Sequence, residues 1–243
     1  MNGAFQRTRR LIGEAAMEKL ARSRVAVFGL GGVGGSCAEA LARSGVGTLD
    51  LIDSDEVVLS NLNRQAFATR RTIGMKKTDA AKERIKDISP SAAVNLYPIF
   101  YLPETADQIP FEAFDYVVDA IDTVTAKIDL ILRAKAAGVP IISCMGTGNR
   151  LDPSLLEIKD IYKTYGDPLA KVMRHELRKR NVESLEVCCS AENPIKPLEE
   201  AGEEENGKRR SVPASSAFVP PSAGILIASH VVRRLICECE KTA

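Results

Sequence analysis

The stretch "RVAVFGLGGVGGSCAEALARSGVGTLDLIDSDEVVLSNLNRQ" (residues 24–65) decides the fold of this chain. Residues 24–28, which are apolar after Arg24, predict a buried strand, and the glycine-rich turn that follows leads into a helix over 36–44. Residues 48–52 predict a second strand, which ends just before Asp53. Strand, glycine turn, helix and strand in this order are typical of parallel sheets that bind nucleotides at their carboxyl edge.

The glycines at 29, 31 and 34 have the spacing G-x-G-x-x-G. This spacing lets the backbone approach phosphates at the start of a helix, and the strand before the turn supports that interpretation. Asp53 lies 19 residues after Gly34, where a carboxylate accepts hydrogen bonds from ribose hydroxyls. A turn used only for packing a helix on a sheet is the alternative. The spacing does not choose between NAD and ATP.

The same alternation continues along the chain. Apolar runs predict strands over 93–100, 114–122 and 138–146, and helical periodicity predicts helices over 5–22, 78–88 and 124–137. The pattern predicts an α/β fold, a Rossmann-like, doubly wound and mostly parallel sheet. The polar clusters at 29–35, 53–65, 119–123 and 145–149 all follow strands, so we expect them to meet at one edge of the sheet.

The remainder of the chain is less regular. It predicts a helix over 166–180 with Asp167 as its N-cap. In the earlier helix 78–88, Thr78 is the predicted cap. A strand at "EVCCS", a mobile surface loop at about 199–212 and a closing helix over 222–239 complete the pattern. We therefore expect one domain over 1–243, with a nucleotide-binding part at about 5–150 and a smaller C-terminal extension at about 151–243.

Composition excludes several classes of protein. The net charge is +1 with 45% apolar and 27% charged residues, so no overall field attracts nucleic acid or a membrane surface. Six cysteines are too few for a disulfide scaffold, and the first twenty residues lack an apolar signal segment. The apolar run at 223–232 is too short to span a bilayer. These features predict a cytoplasmic protein with reduced thiols and no membrane association.

The residues after the second strand favour phosphate chemistry over hydride transfer. Asn61, Arg64 and Gln65 follow that strand, Lys77 precedes a helix, and Asp122 ends the fourth strand. Cations beside a nucleotide stabilise charge on phosphates, and a carboxylate opposite them suits magnesium. No histidine lies in this half of the chain. The alternative is that the cations are ordinary surface charges and that Asp122 only caps a helix.

The segments "GLGGVGG", "LIDSDEVVLSNLNRQ", "GMKK" and "VVDAID" together resemble the ThiF/MoeB/HesA adenylate-forming superfamily, which includes ubiquitin-activating enzymes. The segments "RLDPSLLEIKDIYKTYGDPLAKVMRHELRK", "CSAENPIKP" and "FVPPSAGILIASHVVRRLI" are similar to its branch of tRNA threonylcarbamoyladenosine dehydratases (TcdA, formerly CsdL). In "AIDTVTAK", Lys127 after Asp122 also resembles this branch. The resemblance implies an adenylating enzyme that uses ATP and Mg²⁺, with the C-terminal part serving the substrate and dimer contacts.

Carried over position by position, the resemblance implies a role for each site residue. Arg64, Lys77 and Asp122 are the implied catalytic residues, with Asp122 also the magnesium ligand. In this superfamily an arginine of the partner subunit reaches the γ-phosphate, which implies a homodimer. Arg7 is the best-matching residue here and so a fourth implied catalytic residue, and Arg10 is the second choice. The implied nucleotide-binding set is Gly29, Gly31, Gly32, Gly34, Asp53, Asp55, Asn61, Gln65 and Lys77.

The implied reaction is the ATP-dependent cyclisation of threonylcarbamoyladenosine in tRNA through an acyl-adenylate, with release of AMP and pyrophosphate. A sulfur-acceptor or cysteine desulfurase partner is a further implied possibility. The alternative activity is adenylation of the C-terminus of a ubiquitin-like sulfur carrier. MoeB and ThiF relatives usually carry two Cys-x-x-Cys pairs for zinc, and this chain has none, which weakens that alternative. Neither Cys188 nor Cys189 has a flanking motif of a thioester nucleophile.

The sequence leaves open two further functions and the question of where RNA would bind. A nicotinamide oxidoreductase would bind NAD, and a non-catalytic module would bind ATP without releasing pyrophosphate. The basic runs "RHELRKR" (174–180), "GKRR" (207–210) and "VRRL" (232–235) are able to contact RNA phosphates. Because a charge run is usually only a solvated face, the tRNA assignment depends on the resemblance rather than on these charges.

Overall fold

The computed structural model describes residues 3–198, 202–205, 208–211 and 213–240. Seven α-helices and nine strands are assigned among these residues. In chain order they are α1 (Gln6–Ile12), α2 (Glu14–Arg22), β1 (Arg24–Phe28), α3 (Gly32–Arg43), β2 (Thr48–Ile52), α4 (Lys77–Ile88), β3 (Ala93–Tyr97), β4 (Tyr116–Asp119), α5 (Val124–Ala136), β5 (Ile141–Cys144), β6 (Leu156–Asp160), α6 (Pro168–Arg178), β7 (Glu186–Ser190), β8 (Gly202–Glu205), β9 (Lys208–Ser211) and α7 (Val219–Glu240).

Strands β1 to β7 form one sheet in the order β3-β2-β1-β4-β5-β7-β6. Neighbouring strands are parallel except for β6, which runs antiparallel to β7. The chain builds outward from β1 to β3 and then returns to place β4 on the other side of β1. A ligand crevice is expected where the order reverses, between β1 and β4. The predicted α/β, doubly wound, mostly parallel sheet is confirmed.

Alternate residues of β1 belong to the two apolar layers that cover the sheet. Val25 and Val27 belong to the layer that includes α3 and α7, whereas Ala26 and Phe28 belong to the layer that includes α5 and α6. Both layers are fully buried along this strand. A strand covered on both faces is apolar where it is buried, which is why residues 25–28 form a continuous apolar run.

Several predicted helix boundaries were wrong, and each has a local cause. The predicted helix 5–22 is two helices, because Gly13 takes φ +84° and divides α1 from α2. Helix α3 begins at Gly32, inside the glycine turn, rather than at residue 36. Helix α4 begins at Lys77, so Thr78 lies in its first turn and is not its N-cap. Helix α7 begins at Val219, with two prolines in its first turn, where a missing N–H costs no helical hydrogen bond.

The C-terminal part also differs from the prediction in two places. Residues 156–160 form β6, a strand that was not predicted although Leu156 and Ile158 alternate with charged residues and pack against the core. The predicted loop at about 199–212 instead contains an antiparallel pair, β8 with β9; residues 199–201, 206–207 and 212 lie outside the described residues. Strand β7 and the N-cap role of Asp167 were predicted correctly. None of the helices in the described part of the chain is both long and apolar enough to cross a membrane.

Candidate nucleotide and substrate site

The glycine turn between β1 and α3 is shaped by close backbone contacts. Gly29 takes φ +85°, and a Cβ there would lie 2.7 Å from the Ala120 carbonyl oxygen at the end of β4. A Cβ on Gly34 would overlap the carbonyl oxygen of Gly29, so α3 packs directly on the turn. A Cβ on Gly31, by contrast, would meet no atom within 4 Å. Protein packing therefore explains the first two glycines, whereas the space beside Gly31 is open, and contact of Gly31 with a nucleotide stays a prediction.

Helix α3 starts at this turn without a side-chain cap. The first N–H groups of a helix have no intrahelical partners, and together with the helix dipole they attract an anion. A glycine turn that leads into an uncapped helix is therefore suited to a phosphate group. The turn lies between β1 and β4, at the switch point of the sheet.

Asp53 fastens the end of β2 to the glycine turn. Its Oδ2 accepts a hydrogen bond of 2.6 Å from the Leu30 N–H, and its Oδ1 accepts one of 2.9 Å from the Asp55 N–H. Burial raises the pKa of Asp53, while Lys77 and these two N–H groups act against that rise. The carboxylate is held beside the turn, in the position predicted for binding ribose.

Lys77 lies between two carboxylates next to that turn. Its Nζ is 2.7 Å from Asp55 Oδ2 and 3.8 Å from Asp53 Oδ1. The lysine is the first residue of α4 and is buried, whereas the Asp55 side chain is 61% exposed. Because Asp55 reaches water, it is able to release the ammonium group to a phosphate at small cost.

Arg64 lies across the start of α3. Its carbonyl oxygen and Cγ would be 3.3 and 3.4 Å from a Cβ on Gly32, and its Nη1 donates to the Ser60 carbonyl oxygen (3.0 Å) and Asn63 Oδ1 (2.8 Å). Burial lowers the pKa of Arg64, but a guanidinium stays charged at neutral pH. A fixed cation therefore stands beside the proposed phosphate position.

Two more predicted residues hold the loop that carries Arg64. The Oδ1 of buried Asn61 accepts a hydrogen bond of 3.2 Å from the Val58 N–H. The backbone N–H of buried Gln65 donates to the Asn61 carbonyl oxygen at 3.0 Å. In this structure both residues organise the loop, and their contact with nucleotide stays a prediction.

The remaining predicted site residues form no described hydrogen bond or ion pair with the residues around the glycine turn. Asp122 follows β4 at the same edge, is exposed, and its Oδ1 accepts a 3.4 Å hydrogen bond from the Thr123 hydroxyl. Arg7 and Arg10 are exposed on α1. Within the described ranges, no hydrogen bond or ion pair links these three residues to Arg64 or Lys77. Their predicted roles therefore stay predictions.

A buried network at the ends of β4 and β5 was missed as a site feature. The fully buried Lys127 donates from Nζ to Asp119 Oδ1 (3.0 Å), the Ile121 carbonyl oxygen (3.0 Å) and the Cys144 carbonyl oxygen (2.9 Å). The Ser143 hydroxyl donates to the other oxygen of Asp119. All three hydrogens of the ammonium group are used, so this group fixes the loop that leads to Asp122.

The sequence contained a signal for this network. Lys127 has the spacing of an inward-facing residue of α5, three and four residues before Leu130 and Ile131, which are fully buried. A lysine at an inward position of an amphipathic helix requires buried acceptors, and Asp119 at the end of the preceding strand supplies one. The resemblance had drawn attention to Lys127 without giving it this function.

The segment before α7 crosses the same edge and completes it. Asn149, at φ +59°, donates its N–H to the Ala214 carbonyl oxygen (2.7 Å) and accepts from the Ala214 N–H at Oδ1 (2.8 Å). The Ser215 carbonyl oxygen in turn accepts from Asn63 Nδ2 at 3.0 Å. The strap 213–216 therefore joins the loop after β5 to the residue beside Arg64, a connection that no local motif in the sequence indicated.

Comparison with known proteins now decides the family. The model of the ThiF family matches residues 5–241 of the chain. The chain belongs to the ThiF family. Among curated ThiF family members, it is similar to a Bacillus subtilis tRNA threonylcarbamoyladenosine dehydratase, with 42% identity over 97% of this chain and 96% of the relative. The Escherichia coli protein of the same name is 39% identical over 72% of this chain and 65% of its own length.

Solved structures of ThiF family proteins agree with this result. The structure of E. coli TcdA in complex with ATP has a TM-score of 0.89 and 31% identity, covering 99% of this chain and 96% of that one. The same protein in complex with AMP gives a TM-score of 0.88. The resemblance drawn from the sequence, to the adenylate-forming superfamily and its TcdA branch, is confirmed.

Proposed function

We propose that this chain is an ATP-dependent tRNA threonylcarbamoyladenosine dehydratase. The observation that carries the proposal is the assembly of Arg64, Lys77 and Asp53 against one glycine turn at the switch point of the sheet. The assembly supplies cations for phosphates and a carboxylate for ribose. Similarity over nearly the full length to dehydratases, one of them solved with ATP and with AMP, supports the substrate assignment.

The reaction has two steps that balance. The threonyl carboxylate of the modified adenosine attacks the α-phosphate of ATP, a P–O bond breaks, and pyrophosphate leaves. The carbamoyl nitrogen then attacks the acyl carbon, loses its proton and expels AMP. In total the nucleoside loses the elements of one water molecule. These atoms are accounted for in AMP and pyrophosphate, the two products formed from ATP. Because the acyl phosphate is already reactive, the protein has no need of a covalent nucleophile.

The residues at the carboxyl edge divide this work. The glycine turn and α3 hold phosphates, Asp53 holds ribose, and Arg64 and Lys77 stabilise the charge that develops as pyrophosphate leaves. We expect the strap 213–216, which is bonded to Asn63 and Asn149, to limit the access of water to the acyl-adenylate. A water molecule there would hydrolyse the intermediate instead of allowing the ring to close.

Magnesium fits the residues of this edge. Asp122 is exposed and its described contact is a 3.4 Å hydrogen bond from Thr123, so its oxygens are accessible to a cation, whereas the oxygens of buried Asp119 are occupied. Mg²⁺ is usually held by one or two carboxylates together with substrate phosphates. Asp122 would hold the ion, and the ion would neutralise charge on the phosphates of ATP.

A homodimer is the assembly that we propose. Several apolar side chains near α1 and the start of α7 are strongly exposed: Leu11 (84%), Phe218 (59%) and Ile225 (58%). Exposed apolar groups of this kind favour a protein interface. Leu11 is on the same helix as Arg7 and Arg10, so an interface that covers it would bring one of these arginines towards the partner's nucleotide.

The sulfur-carrier alternative has weaker support. An adenylyltransferase and sulfurtransferase UBA4 from Candida glabrata is 33% identical, but over 60% of this chain and 34% of the relative.

The deciding experiment incubates the protein with ATP, Mg²⁺ and tRNA that carries threonylcarbamoyladenosine, and follows AMP release and the nucleoside mass. ATP-dependent loss of one water supports the proposal. AMP formed only with a carrier that ends in Gly-Gly would contradict it.

Arg64→Ala and Asp122→Ala are the matched loss-of-function variants for this assay, and Arg22→Ala is the control because Arg22 is exposed on α2. We expect both site variants to lose AMP release and cyclisation together, since both depend on the adenylate. A variant that still cyclised the nucleoside without forming AMP would reject the shared intermediate.

A further inference from the structure

A group of cations on one side of α6 has no function in the site described above. Lys171, Arg174 and Arg178 are spaced i, i+3 and i+7 and therefore share a face of the helix. Lys163 precedes the same helix and is exposed. Together with Tyr165 these four cations are called the α6 face. Within the described residues, no carboxylate lies within 4.0 Å of any of the four.

The other cations of this helix end are different. Lys179 and Arg180 both pair with Glu176, at 2.8 and 2.6 Å, and these two cations lower the pKa of that glutamate to about 2. One carboxylate therefore offsets one of their two positive charges and engages both side chains. The run "RHELRKR" divides into two cations that share Glu176 at its end and cations without a described carboxylate partner on the α6 face.

Aromatic rings contact cations on the α6 face and next to it. Tyr165 is 62% exposed, with the Lys159 Nζ 5.0 Å from its ring centroid, and the Arg178 guanidinium lies 5.0 Å from the centroid of Tyr162. Exposed rings beside cations suit single-stranded RNA, since bases stack on the rings while cations contact the phosphates. An ordinary solvated face does not need an exposed tyrosine.

The α6 face begins at the candidate site. Asp167, the N-cap of α6, accepts a hydrogen bond of 3.0 Å from Arg150 Nη2, and both side chains are buried. A Cβ on Gly146 would lie 2.9 Å from the same carboxylate. The loop 145–150 follows β5, whose last residue supplies a carbonyl oxygen to Lys127. A buried ion pair therefore holds the α6 face against the carboxyl edge of the sheet.

We infer that the α6 face binds the phosphate backbone of tRNA next to the nucleotide being modified. The inference rests on the proposed function, because that function brings a nucleoside of a single-stranded loop to the carboxyl edge. The α6 face then holds flanking phosphates, Tyr165 offers a stacking surface, and the Arg150–Asp167 pair fixes the position of the face relative to the glycine turn. Binding here is read by shape and charge rather than by base sequence.

The test compares two double variants of equal charge change. Lys163→Gln with Lys171→Gln removes cations without a described carboxylate partner, and Lys179→Gln with Arg180→Gln removes the two cations after the end of α6 that share Glu176. The affinity for tRNA bearing threonylcarbamoyladenosine is measured at several salt concentrations. We expect the first pair to weaken binding about tenfold and to lower the salt slope by about 0.7 for each lost contact. The second pair should change affinity by less than about twofold.

Three further measurements separate the inference from the proposed function. ATP binding should be unchanged in both pairs, and Tyr165→Ala should weaken tRNA binding while leaving the salt slope unchanged. Equal affinity in the two pairs, or loss of dimers in the first pair by light scattering, would overturn the inference. If wild-type protein binds tRNA through these lysines but does not change the nucleoside, the α6 face stands and the proposed function fails.

Discussion

Two lysines of this molecule, each close to the start of a helix that follows a strand, pair with aspartates in opposite ways. Lys127 is fully buried and donates to three protein acceptors, with Asp119 and two carbonyl oxygens fixed around it. Lys77 is also buried, but its closer partner, Asp55, is 61% exposed and its other partner, Asp53, is 3.8 Å away. The Lys127–Asp119 pair therefore holds protein segments together, whereas the Lys77–Asp55 pair leaves a cation available to a ligand.

The difference shows what separates a structural ion pair from a functional one at the same sheet edge. A buried ammonium with every hydrogen bonded cannot change partners without leaving a charge unpaired, so it can only hold the loop before α5. An ammonium beside a solvated carboxylate can exchange that partner for a phosphate. Identity of residue and position after a strand are similar in both cases, and the surroundings decide the role.

Removing the ammonium of the structural pair should have the largest effect. We expect Lys127→Met to lower the free energy of unfolding by about 3–5 kcal/mol, because Asp119 is left as an uncompensated buried charge. Urea unfolding followed by circular dichroism measures this change. Lys135→Met is the control, since Lys135 is exposed on the same helix. Equal stability of the two variants would break the distinction drawn above.

The functional lysine should show the reverse pattern. We expect Lys77→Ala to lower kcat/KM for AMP release by about 10²–10³-fold, because charge on the leaving pyrophosphate loses one stabilising group. The unfolding free energy should change by less than about 1 kcal/mol, since Asp55 can hydrate. The control is Lys76→Ala, an exposed neighbour that pairs with Glu56. A large loss of stability with intact activity would reverse the assignment.

The pH dependence of Asp53 sharpens the same comparison. Its pKa is raised above the ordinary 3.8, chiefly by burial, so the folded state favours its protonated form. The stability that this group contributes is therefore present below pH 3.8 and is lost as the pH rises through the raised pKa. Urea midpoints for wild type and Asp53→Asn should converge or cross in that window. Parallel curves over the whole range would contradict the raised pKa.

ATP affinity should change with pH in the opposite sense. Ribose hydroxyls need the ionised Asp53 as acceptor, so affinity should rise as the pH passes upward through the raised pKa. Asp53→Asn should bind ATP more weakly and without this dependence, which calorimetry measures directly. Lys77 and the two N–H donors oppose the effect of burial on the pKa of Asp53.

The smallest effect concerns thiol chemistry around the structural pair. Burial raises the pKa of Cys189 to about 11 and also raises that of Cys37; for Cys188 the thiol of Cys144 is the leading cause. We expect native protein at pH 8 to be alkylated at exposed Cys237 well before Cys37, Cys144, Cys188 or Cys189. Peptide mass mapping after timed alkylation measures this. Rapid labelling of Cys144 would show that the region of Lys127 opens easily.

Local sequence determined the central half of the fold and most of the candidate site. Strands β1, β2, β4 and β5 are recognisable in the sequence as mainly apolar runs, because both faces of these strands are covered. The glycine spacing located the turn, and the rule that parallel strands end at one edge brought Asp53, Lys77, Arg64 and Asp122 to that edge without any structural information. These are short-range or topological consequences of the residues themselves.

Only the tertiary structure decided the contacts between distant segments. Strand β6 exists because β7 offers it a pairing edge, and the strap 213–216 crosses the site because Asn149 and Asn63 bond it, at a separation of 152 residues in the latter case. The opposite roles of Lys77 and Lys127 depend on how much water reaches their partners. Solvent access is a property of the packed molecule as a whole, so no local sequence pattern specifies it.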